Sequence, residues 1–191
     1  MSKGFRLRAV FSVLAVATAS LALAATAGAS SGGGVVIQAR DACDHATFPT
    51  GLCAVRADSS GGTVTFDELL AVVGKKHSHP AWKFTEDNVT VHRGDSVVAQ
   101  FGRGGEVHTF SDVTKTGFGP GCVDLLNQLV FGKPDVAPVC SEIDPVAGVP
   151  EVFVKDGLFP GRTITVDTSK AGTQLFECLI HPWMRTTVTV Q

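Results

Sequence analysis

The chain has 191 residues, of which 44% are hydrophobic and 18% charged, and its formal net charge is −2. Its basic residues form no patch of the kind that binds nucleic acid, so we expect no nucleic-acid partner. Beyond the first 29 residues, no segment is long and apolar enough to suggest a bilayer span.

Residues 1–29 are predicted to be a signal peptide. Lys3, Arg6 and Arg8 form a basic region, residues 9–25 are uncharged and apolar, and residues 27–29 form a small-residue cleavage motif. An uncleaved membrane anchor is the alternative, but the cleavage motif favours removal. We therefore expect an extracytoplasmic protein (secreted, periplasmic or in the cell envelope) without stable membrane insertion after cleavage.

Residues 30–80 are predicted to be a linker and an N-terminal extension. The small residues at 30–34 are typical of a flexible linker, and an extended segment begins at Val35. Residues 43–53 lie between two cysteines and contain Pro and Gly, which predicts a stapled loop.

One short helix is predicted in this extension. Thr65 and Glu68 have the spacing of a capping box, which satisfies backbone donors at a helix start. Residues 66–73 continue the helix, and Gly74 is expected to end it.

From residue 81 the pattern changes to short strands, and residues 81–191 are predicted to form the main domain. The alternating run 88–92, a turn at Gly94 and the run 96–101 predict a strand pair. Residues 106–110 then resume an extended pattern.

Residues 117–160 interrupt the strands and are predicted to be an insertion stapled by a disulfide. The segment contains Cys122, Cys140, several Pro and a helical stretch at 123–130. Three β-branched or aromatic runs follow it, at 162–166, 173–178 and 186–190. Many short strands with one or two short helices predict an all-β fold, a Greek-key β-sandwich.

The end of the 173–178 strand and the segment that connects it to the last strand contain three candidate metal ligands. Cys178, His181 and Met184 have the spacing Cys-x2-His-x2-Met. Thiolate and thioether are soft donors and imidazole is borderline, a set that suits copper. A blue-copper centre needs a second His, and His108 on a remote strand is the best candidate.

Other interpretations of these residues stay open at this point. Cys178 can be a buried structural thiol, and zinc accepts Cys and His, although Met is not among its usual ligands. His77 and His79 can bind a second metal, but two solvated histidines in a linker are the more ordinary interpretation.

The chain has five cysteines, so at least one of them is not in a disulfide within the chain. If Cys178 binds metal, Cys43, Cys53, Cys122 and Cys140 form an even set with three possible pairings. Shorter loops cost less entropy to close, which favours Cys43–Cys53 and Cys122–Cys140.

Residues 82–191 resemble the cupredoxins, the small blue-copper proteins. Residues 172–184 resemble the carboxy-terminal ligand strand and loop, with the short spacing of the amicyanin type. Residues 89–95 and 106–110 resemble the strands that precede and carry the first His ligand. The resemblance implies a two-sheet Greek-key sandwich that holds one type 1 copper. The ligands it implies are His108, Cys178, His181 and Met184.

The resemblance also implies a docking surface and reveals one departure. In this family one edge of the imidazole of His181 would face solvent through an apolar patch with Pro182 and Trp183, where a redox partner docks. Simple loop packing is the alternative. Asn commonly follows the first His ligand and ties the two ligand loops together, whereas this chain has Thr109.

The expected function is that of a one-electron carrier rather than an enzyme. The alternative is a copper-handling protein for storage, delivery or resistance, in which His77 and His79 supply a transient site. Multicopper oxidases and copper nitrite reductases need many more His than the six present. A metal-free sandwich used for interaction is disfavoured by the complete ligand set.

Overall fold

The computed structural model describes residues 34–53 and 62–191, so the predicted signal peptide lies outside the described residues. The first five strands are β1 (Val35–Arg40), β2 (Lys83–Phe84), β3 (Asn88–Val91), β4 (Val97–Arg103) and β5 (His108–Thr109). The other strands are β6 (Ser111–Asp112), β7 (Gly157–Leu158), β8 (Thr163–Thr165), β9 (Gly172–Glu177) and β10 (Arg185–Val190). The helices are α1 (Phe66–Lys76), α2 (Asp124–Phe131), α3 (Glu151–Asp156) and a 3₁₀ helix (Pro138–Ser141).

Two four-stranded sheets form the predicted β-sandwich. Their strand orders are β2-β1-β4-β8 and β3-β10-β9-β6, and β5 pairs separately with β7. Each sheet is mixed, because β1 runs parallel to β4 and β3 runs parallel to β10. Alternate residues of β3 and β10 are buried, as the two-residue period of a half-buried strand requires. Side chains of both sheets share one hydrophobic core.

The sandwich begins earlier in the chain than residue 81. Strand β1, in the segment predicted to be an extension, lies between β2 and β4, and its Ile37 and Ala39 are 0% exposed. The apolar residues from Val35 predict only the start of a strand. Its parallel partner lies about 60 residues later in the chain, so the pairing leaves no pattern in the local sequence.

The predicted strand pair around Gly94 is wrong. Strands β3 and β4 lie in different sheets, because β3 pairs with β10 and β4 pairs with β1. The turn at Gly94, whose φ is +84°, carries the chain from one sheet to the other. A tight turn between two alternating runs does not distinguish a hairpin from such a crossover.

Helix α1 begins as predicted but ends later. The side chain of Thr65 accepts a hydrogen bond from the backbone N–H of Glu68, and the cap is His77 in the left-handed region at φ 58°. Gly74 lies inside the helix, where an added Cβ would be 3.4 Å from Leu129 of α2. That distance is an ordinary van der Waals contact, so the packing of the two helices does not require glycine at this position. None of the helices in the described ranges is long and apolar enough to cross a membrane.

The segment 117–160 packs onto the sandwich near both of its ends. It contains α2, α3 and the 3₁₀ helix, whereas the sequence predicted one or two short helices for the whole fold. Strand β7, near the end of the segment, pairs with β5. The structure joins Cys43 to Cys53 and Cys122 to Cys140, the pairing that short loops favour. Cys178 is left as a free, buried thiol.

Candidate metal centre

Three of the four predicted ligands meet at one buried point. Nδ1 of His108 lies 3.9 Å from Sγ of Cys178, and Nδ1 of His181 lies 3.7 Å from the same sulfur. These three ligand atoms lie within 4.8 Å of one another, and the group is the one set of three His, Cys, Asp or Glu in the described residues with a metal-binding arrangement. His108 and Cys178 are 0% exposed and His181 is 1% exposed.

Backbone hydrogen bonds close the segment between Cys178 and Met184 into a compact loop. The N–H of Cys178 donates to the carbonyl of Met184 at 3.0 Å, and the N–H of Met184 donates to the carbonyl of His181 at 2.9 Å. The N–H of His181 lies 3.5 Å from the sulfur of Cys178. Strands β9 and β10 pair on either side of the loop and fix its two ends. Met184 is buried beside the other ligands, and its role as the axial ligand stays a prediction.

Thr109 connects the first-ligand strand to this loop. Its hydroxyl accepts a hydrogen bond from the N–H of Leu179 at 2.8 Å, and its own N–H lies 3.4 Å from the sulfur of Cys178. Thr109 therefore makes the link that Asn makes in the family that the sequence resembles. The N–H contacts of Thr109 and His181 also place positive dipole ends on the sulfur, which favours the thiolate.

A buried carboxylate holds the outer nitrogen of His108. Oδ2 of Asp41 lies 3.0 Å from Nε2 of His108, and both side chains are 0% exposed. Asp41 follows β1 directly and is itself fixed by the N–H groups of Cys43, Gly105 and Glu106 at 2.9 to 3.1 Å.

A second buried carboxylate holds the outer nitrogen of His181. Oε2 of Glu106 lies 3.2 Å from Nε2 of His181 and also accepts a short hydrogen bond from the indole N–H of Trp82. Trp82 in turn stacks on Phe48 at 6.2 Å between ring centroids and contacts His79 edge-on at 4.8 Å. Aromatic packing thus covers this side of the site.

The charges of these groups shift one another's pKa values. Burial alone would raise the pKa of Cys178, but His108 and His181 outweigh it and hold that pKa well below its usual value. Burial alone would lower the pKa of His181, but Glu106 and Cys178 raise it to about 10. The pKa of His108 is raised in the same way, chiefly by Asp41 against burial. Without metal, the thiol and the two imidazoles therefore stabilise one another's charged forms.

The expected solvent-facing edge of His181 is wrong. The imidazole is 1% exposed because Glu106 and Trp82 cover it, and Pro182 is buried as well. Trp183 is half-buried and contacts the imidazole edge-on at 5.4 Å between ring centroids. The predicted docking of a partner at this loop remains a prediction, with Trp183 as its most accessible aromatic residue.

His77 and His79 do not join the site or each other. Nδ1 of His77 lies 2.9 Å from the carbonyl oxygen of Leu129 on α2, and the ring is exposed. His79 is buried against Trp82, and its Nδ1 accepts a hydrogen bond from the N–H of Ala81 at 3.2 Å. Their different partners give no support to a second metal site.

The insertion packs against the residues that flank Cys178 at the end of β9. The N–H of Cys122 donates to the carbonyl of Leu179, and a Cβ on Gly121 would lie 2.3 Å from that oxygen. Glu177, one residue before the thiol, accepts from the N–H of Gly119 at 3.0 Å and lies 3.6 Å from Arg185. The insertion therefore covers the residues on either side of Cys178.

Comparison with known proteins gives structural similarity only. No family model matches the chain, and neither does any curated protein. Among solved structures, a purple cupredoxin from Nitrosopumilus maritimus is similar at 17% identity, covering 59% of this chain and 86% of that one with a TM-score of 0.34. A mutant plastocyanin of a fern is similar at 24% identity, covering 58% and 89%, with a TM-score of 0.34. A reduced mutant of amicyanin is similar at 18% identity, covering 57% and 73%, with a TM-score of 0.33.

These neighbours are cupredoxins, and the fold is cupredoxin-like. Because the TM-scores are below 0.5, that description rests on this chain's own two sheets. It also rests on the meeting of His108, on β5, with Cys178, directly after β9.

The residues present fit a bound metal. Both outer nitrogens are held by carboxylates, so the nitrogen that each imidazole offers to a metal is Nδ1, and both Nδ1 atoms lie beside the thiol. One thiolate and two imidazoles suit copper or zinc, and a buried thioether in the same loop favours copper.

The sequence analysis missed Asp41, Glu106 and Trp82. Asp41 lies 67 residues from its imidazole, so no local pattern links the two. The available signal was the glycine-rich loop at 102–105. An added Cβ on Gly104 would lie 2.0 Å from the Asp41 carboxylate, so the loop needs Gly there.

Proposed function

We propose that this chain is a one-electron carrier with one type 1 copper held by His108, Cys178, His181 and Met184. The observation that carries the proposal is the buried cluster in which two Nδ1 atoms lie 3.7 and 3.9 Å from one sulfur. Copper bound there would exchange single electrons between Cu(I) and Cu(II).

The side chains of the protein would keep the donor atoms in place through both oxidation states. Each imidazole is fixed at its outer nitrogen by a carboxylate, and the thiol receives N–H contacts from Thr109 and His181. Ligands that do not rotate or protonate during the exchange keep the reorganisation small. Burial also excludes water from the sulfur.

We further propose that the protein works outside the cytoplasm and meets its redox partner at the loop. Two disulfides support an oxidising compartment, where such bonds persist. The partner would contact the half-buried indole of Trp183, which lies against His181 and next to the buried Pro182.

Voltammetry of the copper-loaded protein tests the carrier role. We expect one reversible one-electron couple, fast exchange with a small redox reagent, and loss of the couple in Cys178→Ser. Trp183→Ala should keep the couple and slow exchange with a protein partner. A copper protein without a reversible couple would refute the carrier role.

Copper storage or delivery is the second candidate, and the enclosure of His181 favours it. A fully covered imidazole suits retention of the metal more than rapid exchange of electrons at the surface. Slow electron self-exchange together with transfer of Cu(I) to a chelating acceptor protein would favour this function over the first.

A further inference from the structure

We propose that Asp41 and Glu106 are the positioning residues of the metal centre, and that their buried charges lower its reduction potential. The inference rests on the proposed copper site, but its first part applies to any metal bound at the two Nδ1 atoms. It assigns a role to two acidic residues far apart in the sequence.

Asp41 is built into the fold as an acceptor for His108. Four groups donate to its carboxylate: the N–H groups of Cys43, Gly105 and Glu106, and Nε2 of His108. Gly104 has a φ of +133°, and a Cβ there would lie 2.0 Å from the carboxylate, so the loop is shaped around it. A carboxylate with this many fixed donors cannot follow a rotating imidazole.

Glu106 is fixed by a different element and acts on the other imidazole. The same Oε2 atom receives the indole N–H of Trp82 and faces Nε2 of His181 at 3.2 Å. The backbone of Glu106 donates to Asp41 and bridges to Cys53, so both carboxylates belong to one hydrogen-bonded unit.

These contacts determine which ring nitrogen is available. An ionised carboxylate only accepts hydrogen bonds, so each Nε2 must carry the proton. Each Nδ1 lies beside the Cys178 sulfur and is the nitrogen left to bind a metal, which would displace any proton held there. Outer partners of this kind commonly contribute roughly 10–100-fold to metal affinity.

The same two carboxylates add negative charge next to the metal position. With Cys178 they place three acidic groups in a buried region. Reduction of Cu(II) by one electron from an electrode lowers the metal charge, and buried anions disfavour that change. The potential should therefore be lower than with neutral partners.

Substitutions of Glu106 separate orientation from charge. In Glu106→Gln the amide oxygen can still accept from His181, whereas Glu106→Ala removes the acceptor. Zn²⁺ affinity and the NMR signals of the imidazole Nε2–H protons report orientation without any redox step. We expect the Ala variant to lose the His181 Nε2–H signal and roughly 10–100-fold in Zn²⁺ affinity. The Gln variant should keep both and raise the copper reduction potential.

Asp41→Asn applies the same test to His108. If that variant does not fold, the Glu106 variants still test the proposal. The matched control is Glu177→Gln, a buried carboxyl next to Cys178 that contacts no imidazole. It should leave both Nε2–H signals and Zn²⁺ affinity unchanged.

Unchanged signals and affinity in Glu106→Ala would overturn the positioning role, and an unchanged or lower potential in Glu106→Gln would overturn the electrostatic role. If orientation holds with Zn²⁺ but copper shows no reversible couple, the carrier function fails while the positioning role stands.

Discussion

Single residues outside the ligand set hold the site in shape. Thr109 is the clearest case, because it occupies the position where the sequence departs from the family it resembles. Its hydroxyl satisfies the buried N–H of Leu179 at 2.8 Å, and Ser111 donates to the same oxygen at 3.3 Å. The substitution of Asn by Thr therefore keeps the connection between the two ligand segments.

Replacing Thr109 by Val should destabilise the protein. The change keeps the side-chain shape but leaves the N–H of Leu179 without its acceptor, at a cost of about 1–3 kcal/mol. Thr109→Ser keeps the acceptor and should cost about 1 kcal/mol or less. Urea unfolding of both variants measures the difference. A Val variant at least as stable as the Ser variant would contradict the role of this hydrogen bond.

Glu177 should make the stability of the metal-free protein depend on pH. Burial raises the pKa of this carboxyl to about 7 from an ordinary value of 4.5, against the opposing effect of Arg185. The folded state then holds the proton more tightly than the unfolded state, so stability falls as the pH rises from about 4.5 to 7.

Glu177→Gln removes this dependence because the amide does not ionise. Relative to the native protein, the variant should gain stability across that pH range and keep the gain above it. Chemical unfolding at pH 4 and pH 8 provides the comparison. An equal difference between the two proteins at both pH values would show that Glu177 does not titrate as described.

The sequence predicts the metal ligands better than it predicts the residues that hold those ligands in place. Cys178, His181 and Met184 lie within one short loop, so their spacing alone predicts a site. Asp41 and Glu106 contact the imidazoles only after the chain has folded, and ordinary acidic residues carry no sequence signal for such a role.

Among the elements, the disulfide loop 43–53 contacts the residues that hold the two imidazoles, in addition to being closed by its own disulfide. The N–H of Cys43 donates to Asp41 at 3.1 Å, and Cys53 bridges to Glu106. The loop also carries Phe48, which stacks on Trp82. Cysteine arithmetic predicts the pairing, but the position of the loop over the imidazoles follows from tertiary contacts that local sequence does not encode.

Removing the two disulfides separately should therefore have different effects. Each paired Cys→Ala replacement should cost about 3 kcal/mol of stability, because both loops are short. Replacement of Cys43 and Cys53 should also weaken Zn²⁺ binding, and replacement of Cys122 and Cys140 should weaken it less. Equal affinities in the two variants would show that the first loop does not support the carboxylates.

In the molecule as a whole, β1 is part of the sandwich and Asp41 is part of the candidate metal centre. Strand β1 fills the space between β2 and β4, and Asp41 follows it directly. Sequence reasoning identified the fold class because β-branched alternation marks most strands. It placed the domain start too late, since one parallel strand with a distant partner looks like any short apolar run.

A chain of residues 81–191 should not fold on its own. Without β1 the buried side chains of Val97 and Ala99 on β4 lose their neighbour, and His108 loses Asp41. We expect no cooperative unfolding transition and no tight metal binding, whereas residues 34–191 should show both. A cooperatively folded shorter chain would contradict the place of β1 in the core.

One copper bound to the thiolate of Cys178 and to the imidazoles of His108 and His181 would have a distinctive colour. The most direct test is the visible absorption spectrum of the oxidised protein loaded with one copper per chain. We predict the intense charge-transfer absorption of a copper–thiolate bond, lost in Cys178→Ser. Only the weak absorption of ordinary tetragonal copper, unchanged by that substitution, would contradict the site.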